Sequence, residues 1–365
     1  MKLAGTVTVA ALTVAALTVA AVTAACTASG QHSRLRPLPE GVRGVAVQSS
    51  RNAWSVGSPP ADVRPQKAIV AHWNGEAWTT FSPRGLPQRS GLGAVAAFPG
   101  GAWAVGDYGT TQHGDGGGRP RQFIVRLTGT TMRRVPVPEP ADGGLVDVAA
   151  TSTVNAWAVG YLGGVDLNDG IPLILHWNGT AWTRARLPAA LGRGYFAGVT
   201  ATSATNAWAV TNTGKIVHWN GLRWDHVVSP VIGVTYQLHD VATTSARNVW
   251  AVGGAGSKRT VILHWNGLRW TWDLSPKIRG RYSFRGLYAV SASSADDALA
   301  VGSADEGTLA LHWNGHGWKR FKTPGRGGLN SLEDVTFIPR SGRAWAVDVT
   351  GSATLIFEWD GTSWR

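Results

Sequence analysis

One phrase recurs seven times along this chain, and it constrains the fold more than any other feature of the sequence. In the third copy the phrase reads NAWAVG at residues 155–160, followed after a gap by LHWNGTAW at residues 175–182. Its first tryptophan position falls at Trp54, Trp103, Trp157, Trp208, Trp250, Leu299 and Trp345. Three tryptophan positions in seven copies make 21 positions, and Trp fills 18 of them. The chain after about residue 40 is therefore one repeat array.

Each copy has the pattern of four short strands, a to d. In the third copy we expect strand a at 145–152, strand b at 155–161, strand c at 173–177 and strand d at 180–187. Asn178-Gly179 between strands c and d predicts a two-residue hairpin loop, which would place Leu175 opposite Trp182. Seven repeats of four antiparallel strands, each 42–54 residues long, predict an all-β, seven-bladed β-propeller.

The repeat spacing also sets the expected domain boundaries. We expect a signal peptide at 1–25, a short tether at 26–33 and a single propeller at 34–365. The expected blades lie near 42–83, 92–138, 145–188, 196–230, 238–276, 287–324 and 332–365. The last copy stops just inside strand d, so we expect residues 34–39 to pair on the last blade and close the ring.

The N-terminus indicates export. Lys2 precedes an uninterrupted apolar stretch from Leu3 to Val22, which ends in Thr23-Ala24-Ala25-Cys26. Small residues before a cysteine are typical of a processing site and resemble a bacterial lipobox, with Thr23 where leucine is usual. We therefore expect Cys26 to be lipidated and the protein to be extracytoplasmic, anchored to the outer leaflet of the cell membrane. The alternative is ordinary signal cleavage and secretion, with Cys26 incidental.

The strand c to strand d phrase also resembles a known family. Ile-Leu-His-Trp-Asn-Gly-x-x-Trp is similar to the repeat of Asp-box propellers, including the photosystem-assembly-factor type, and residues 358–364 are the copy most like it. The chain departs from that family in lacking the Ser or Thr upstream of the Asp and in a loop one residue shorter. The resemblance implies the propeller fold and leaves function open, because such propellers have many roles.

Composition narrows the class of partner. The net charge is +12, with 34 Lys and Arg against 22 Asp and Glu, which favours anionic partners such as an acidic cell-envelope polymer. No basic run or nucleic-acid-binding motif is present, so we expect no nucleic-acid partner. A single cysteine excludes an intramolecular disulfide.

No catalytic signature is visible, and we expect no enzyme activity, no cofactor and no metal. Five repeated histidines occupy equivalent places in different blades, so we expect them to be structural: His72, His176, His218, His264 and His312. Residues 166–170 resemble a calcium loop that is one residue too short.

Loop lengths predict the binding face. The b–c loops vary strongly between copies, whereas the c–d turns are nearly uniform, and variable loops commonly carry function. The d–a loops on the same side hold Arg and Tyr residues, and three strands a begin with Asp near the expected channel mouth. The ligand-binding candidates are Arg193, Tyr195, Tyr236, Arg279, Arg281, Tyr282, Arg326, Asp147, Asp240 and Asp334. The aspartates have an alternative role as acceptors for backbone amides.

Two functional hypotheses follow. The first is a monomeric, lipid-anchored, non-enzymatic binding or scaffolding protein that contacts a protein or an anionic polymer on its b–c/d–a loop face. The second is a lectin or glycosidase-like propeller, for which Asp147, Asp240 and Asp334 would supply paired carboxylates.

Overall fold

The structure is a computed structural model. It describes residues 38–59, 67–81, 85–109, 119–138, 142–163, 169–230, 234–256, 259–273, 275–276, 286–304, 307–324, 330–350 and 353–365. Within these residues the chain is all-β apart from 3₁₀ structure at Ala189–Leu191 and at Asp169, and it forms seven antiparallel blades. The predicted fold class, a seven-bladed β-propeller, is confirmed.

The strands are numbered β1 to β27 in chain order, and neighbours along the chain pair within each blade. Blade 1 contains β1 (Val42–Ser49), β2 (Asn52–Gly57), β3 (Ile69–Trp73) and β4 (Trp78–Phe81); blade 2 contains β5 (Ser90–Phe98), β6 (Gly101–Tyr108), β7 (Arg121–Thr128) and β8 (Thr131–Val135). Blade 3 contains β9 (Gly143–Ser152), β10 (Asn155–Leu162), β11 (Ile171–Trp177) and β12 (Trp182–Arg184); blade 4 contains β13 (Phe196–Ser203), β14 (Asn206–Thr211), β15 (Ile216–Trp219) and β16 (Trp224–Val227).

The remaining blades follow the same order. Blade 5 contains β17 (Gln237–Ser245), β18 (Asn248–Ala255), β19 (Arg259–Trp265) and β20 (Trp270–Trp272); blade 6 contains β21 (Gly286–Ser294), β22 (Asp297–Ala304), β23 (Gly307–Trp313) and β24 (Trp318–Phe321). Blade 7 contains β25 (Ser331–Phe337), β26 (Ala344–Thr350) and β27 (Ala353–Trp359). The first strand of every blade contacts the first strands of both neighbouring blades, so these seven strands surround the centre of the ring.

The tryptophans of the repeat pack between blades. Trp157 of β10 lies against Trp219 and Trp224 of blade 4, with ring centroids 5.1 Å away in both cases. The same arrangement joins Trp103 to blade 3, Trp208 to blade 5, Trp250 to blade 6 and Trp345 to blade 1. Large aromatic areas are thus removed from water at these blade interfaces, which stabilises one blade against the next.

The expected two-residue c–d hairpin is wrong. Trp177 pairs directly with Trp182, and Leu175 pairs with Arg184, so the loop has four residues, 178–181. The side chain of Asn178 closes this loop, since its Oδ1 accepts hydrogen bonds from the backbone N–H groups of Thr180 and Ala181, each at 3.0 Å. An Asn side chain that replaces a backbone acceptor makes an Asx turn. Strand d consequently starts two residues later than the Asn-Gly pair suggests.

The last blade is completed from both ends of the described chain. Trp364 bridges to Trp359, next to two backbone hydrogen bonds between Glu358 and Arg365 of 2.8 and 2.9 Å. Farther along β27, the backbone N–H of Leu38 donates to the carbonyl of Thr354 at 3.1 Å. Leu38 belongs to the expected closing segment, whose residues 34–37 lie outside the described part of the chain. No helix within the described ranges has the length and hydrophobicity needed to cross a membrane.

Candidate functional site

The five repeated histidines are held by the blades themselves. His176 Nε2 lies 2.9 Å from Asn155 Oδ1, and the His176 ring stacks on Trp157 with centroids 4.0 Å apart. The other four histidines make the same contact with Asn52, Asn206, Asn248 and Asp297, at 2.7–2.8 Å. Among the described residues, no group of three His, Cys, Asp or Glu side chains is arranged to hold a metal ion. These histidines therefore tie strand c to the start of strand b.

The three aspartates of the inner strands bridge neighbouring blades. Asp147 accepts hydrogen bonds from the backbone N–H of Val148 at 2.8 Å and from that of Val199, in blade 4, at 2.7 Å. Asp240 joins blade 5 to blade 6 and Asp334 joins blade 7 to blade 1 in the same way, through Val290 and Val45. Each carboxylate thus uses both oxygens to satisfy backbone donors, one of them on the next blade.

Burial is the main influence on these carboxyl groups. It raises the pKa of Asp147 to about 6 and that of Asp334 to about 7, against the two amide hydrogen bonds that each accepts. The pKa of Asp240 is raised well above its ordinary value, first by burial and then by repulsion from Asp147 and Asp334. Repulsion from neighbouring carboxyl groups therefore adds to the effect of burial on the pKa of Asp240 and of Asp334, while each side chain remains tied to its own pair of amides.

The predicted loop residues have unequal surroundings. Arg193 is exposed and donates from Nη1 to the carbonyl of Asp169 at 2.7 Å, and burial raises the pKa of the half-buried Tyr195. Tyr236 is buried in the interface of blades 4 and 5, with its hydroxyl 3.2 Å from the Pro230 carbonyl, so its ring acts in packing. The other predicted positions lie outside the described residues: Cys26, Arg279, Arg281, Tyr282, Arg326 and positions 166–168 of the calcium-like loop.

One position of strand d decides whether the outer groove between two blades is filled. Three residues after the strand d tryptophan or its equivalent, the side chain faces the next blade. Apolar side chains at this position pack into the interface in four blades: Phe81, Val135, Val227 and Phe321. Blade 5 has Asp273 there, and blade 3 has the small Ala185. Its methyl group leaves unfilled the space that phenyl rings occupy in blades 1 and 6.

The space beside Ala185 is an open groove between blades 3 and 4. It has a volume of about 550 Å³. The rings of Trp157, His176, Trp219 and Trp224 form its floor, and Ala185, Leu187, Pro188 and Leu222 form its walls. We call this feature the Ala185 groove. An aromatic floor of this size buries an apolar side chain of a ligand well, because aromatic faces offer large contact area at little entropic cost.

Charged groups surround the groove. Arg186, Arg223, Asp225 and His226 line its edges, and Arg223 Nε donates to Asp225 Oδ1 at 2.8 Å. Leu222, at the tip of the blade 4 turn, is 88% exposed. A second concavity of about 500 Å³ lies on the other side of the 185–188 segment and reaches Leu191 and Gly192, next to the predicted Arg193. The two concavities share residues 185–188 as part of their lining.

Sequence analysis did not find this groove. The signal is present, since aligning the copies on the strand d tryptophan shows Ala in blade 3 where four blades have Phe or Val and blade 5 has Asp273. The meaning of this Ala is clear only from the observed hairpin register, which shows which strand d residues face the next blade.

Neither a family model nor a curated protein matches the sequence. Solved structures share the fold. "YCF48 bound to D1 peptide" is 15% identical, with a TM-score of 0.58, covering 88% of this chain and 93% of that chain. "YCF48 from Cyanidioschyzon merolae" is also 15% identical, with a TM-score of 0.57, covering 88% and 97%. The GH74 xyloglucanase from Xanthomonas campestris is 13% identical, with a TM-score of 0.58, covering 89% of this chain and 52% of that one. At these identities the likeness shows the fold alone.

Proposed function

We propose that this protein is a non-enzymatic binding propeller and that the Ala185 groove takes an extended segment of a partner protein. The proposal rests on the side chain three residues after the strand d tryptophan. Four blades have Phe or Val at this position, whereas blade 3 has Ala185, which leaves a groove open over an aromatic floor. An apolar side chain of the partner would occupy the place that Phe81 and Phe321 occupy in their own blades.

The shape of the site supports a peptide rather than a compact small molecule. The groove and the neighbouring concavity follow the 185–188 segment on both sides, which suits a chain lying along the rim. One solved structure of the same fold is YCF48 bound to D1 peptide, and this also favours a protein segment as ligand. The predicted d–a loop candidates around Arg193 would then contact the same partner at its far end.

The three aspartates of the inner strands support the non-enzymatic part of the proposal. A glycosidase needs one carboxyl group free to donate a proton and another free to act as base or nucleophile. In Asp147, Asp240 and Asp334, both carboxylate oxygens accept hydrogen bonds from backbone amides, one amide in each of two blades. Their contribution is to hold the ring together.

We further propose that the propeller is displayed outside the cell on a lipid attached to Cys26. The support is the apolar stretch that ends in small residues and the only cysteine. Replacing Cys26 with Ser should release the protein from the detergent phase or leave its leader uncleaved, as judged by detergent partitioning and mass. Partitioning of a processed variant like the wild type would contradict lipidation.

The groove is tested with a phage-displayed library of 12-residue peptides, selected on the purified protein. We expect enriched peptides to share a large apolar residue. Ala185→Phe should remove their binding, because the added ring fills the groove as Phe81 does in blade 1. Thr79→Phe is the matched control, since it adds the same ring to an exposed position of the outer strand of blade 1. Peptides that bind Ala185→Phe as well as wild type would refute the site.

The aromatic floor also favours a second candidate function, because sugar rings stack on Trp faces. A glycan array separates the two. Saturable glycan binding that Ala185→Phe abolishes and Thr79→Phe retains, together with no peptide enrichment, would replace the protein ligand by a carbohydrate.

A further inference from the structure

Blade 2 departs from the repeat on its outer edge. Where five blades have His in strand c and blade 7 has Glu358, blade 2 has Arg126, and its strand d partner is Arg133. The corresponding pairs elsewhere are His72 with Thr79, His176 with Thr183, His218 with Asp225, His264 with Thr271 and His312 with Lys319. Blade 2 is therefore the blade, among these six, that opposes two guanidinium groups directly.

Two like charges opposite each other on adjacent strands disfavour the pairing, because their Cβ atoms are only about 5 Å apart. In blades 1, 3 and 5 the same two positions hold His in strand c and Thr in strand d. No acidic residue occurs between Arg119 and Pro138, a stretch that contains five arginines. Within the described residues, neither Arg126 nor Arg133 forms an ion pair. In the described part of the chain, no ion pair thus compensates the positive charge at this pair.

Some exposed arginines of the ring form ion pairs with nearby acidic residues. Arg223 pairs with Asp225 at 2.8 Å and Arg119 with Asp142 at 3.1 Å. At the end of the chain, Arg365 pairs with Asp360 at 2.5 Å. Among the six blades compared, the Arg126–Arg133 pair is distinct because two guanidinium groups lie on directly paired residues.

Arg126 is also held in place. Its guanidinium carbon lies 5.3 Å from the centroid of the Phe98 ring and 5.7 Å from that of Trp103. These cation–π contacts hold the guanidinium beside Trp103, whose equivalents in blades 3, 4 and 5 stack on a histidine ring. Arg133 on the outer strand is exposed. One fixed and one movable guanidinium can close on a ligand between them.

We propose that Arg126 and Arg133 form a site for a phosphate-type oxyanion on the outer edge of blade 2. Each guanidinium donates two parallel N–H groups, so two of them offer at least four donors to one anion. A phosphoryl group has enough oxygens to accept from both sides, whereas a carboxylate has only two. The site is separate from the Ala185 groove and does not depend on the proposed function.

The test is titration of the purified protein with inorganic phosphate at constant ionic strength, with chloride as the balancing anion. Binding is followed by calorimetry and by the NMR resonances of the arginine Nε–H groups. Wild type should bind saturably, with the resonances of Arg126 and Arg133 moving together. Arg126→His/Arg133→Thr restores the residues of the other blades and should weaken binding at least tenfold.

The matched control removes the same charge elsewhere. Arg269→Ala/Lys319→Thr deletes two exposed cations from blades 5 and 6, and it should bind phosphate within twofold of wild type. An equal loss in both double variants would show that only net charge matters, and an absence of saturable binding to wild type would also overturn the site. Vesicles of phosphatidylglycerol, compared with phosphatidylcholine, identify the source: binding lost only in the blade 2 variant would support the site with a lipid headgroup as its phosphate.

Discussion

Asp348 illustrates what a single replacement in the repeat does to the core. Five copies have Gly at this position of strand b: Gly57, Gly106, Gly160, Gly253 and Gly302. A Cβ atom there would approach a carbonyl oxygen of strand a to 2.0–2.1 Å. Blade 7 has Asp348, which is 1% exposed, and neither carboxylate oxygen has a partner among the described residues. Burial raises the pKa of Asp348 to about 6. An ionised Asp348 therefore costs the folded state free energy that the glycines avoid.

Asp348→Asn should make the stability of the protein less dependent on pH. The folded state holds the proton more tightly than the unfolded state, whose carboxyl has a pKa near 3.8, so wild type loses stability as pH rises from about 4 to about 6. A difference of about two between these pKa values corresponds to roughly 3 kcal/mol. We expect urea unfolding to show that the free energy of unfolding of the variant, relative to that of wild type, increases from pH 4 to pH 8. A constant difference across that range would contradict the assignment.

At the scale of strands, two kinds of contact join the blades, and we call them the inner device and the outer device. Asp147 and its two equivalents tie inner strands through backbone amides, and the side chains at the Ala185 position fill the outer grooves. The inner device is polar and satisfies N–H groups that would otherwise cost about 1–3 kcal/mol each. The outer device is apolar and acts through packing. Blade 3 keeps the first and lacks the second, which leaves its outer edge open while its inner edge stays fixed.

Phe321→Ala should open a second groove, between blades 6 and 7. The Phe321 ring packs edge-on against Trp359, with centroids 4.9 Å apart, and its loss removes that contact. Because Phe321 is only partly buried, we expect a destabilisation of about 2–3 kcal/mol, below the range for fully buried Phe. Lys319→Ala, an exposed change on the same strand, should stay within about 0.5 kcal/mol in the same urea titration. An equally small effect of Phe321→Ala would show that this position does not fill the interface.

The repeat in the sequence was sufficient to predict the strands and their grouping into seven blades, since tryptophan positions such as Trp157 and Trp182 mark strands b and d in most copies. The hairpin register was not predictable from Asn178-Gly179, because the Asn side chain closes a longer loop that the two-residue rule does not consider. Because of that error, the sequence did not show that Ala185 faces the next blade, and the groove was not predicted. The roles of the aspartates depended on which amides the inner strands bring near, which a single blade does not reveal.

For the whole molecule, the decisive contact is the seam between the first and last blades. Trp345 packs on Trp73 and Trp78 of blade 1 across this seam, and Asp334 accepts from the N–H of Val45 at 2.7 Å. On the outer side, Leu38 pairs with Thr354. The seam thus combines the same polar inner tie and aromatic packing that join neighbouring blades elsewhere, with a backbone bridge from Leu38.

Deletion of residues 31–39 should weaken this seam. It removes the backbone hydrogen bond from Leu38 to Thr354 and exposes the outer edge of β27, an unpaired strand edge that invites association. We expect a lower melting temperature in calorimetry and a larger species in light scattering. Deletion of residues 27–30, which leaves Leu38 in place, is the control. Identical melting of the two deletions would contradict a closing role for this segment.

The central claim is that the open position at Ala185 creates the binding site, and calorimetric titration of one peptide selected on the wild type tests it most directly. The peptide is titrated into wild type, Ala185→Phe and Thr79→Phe, after circular dichroism has shown that all three are folded. We predict that Ala185→Phe binds at least tenfold more weakly and that Thr79→Phe binds within twofold of wild type. Equal affinity for wild type and Ala185→Phe would contradict the account.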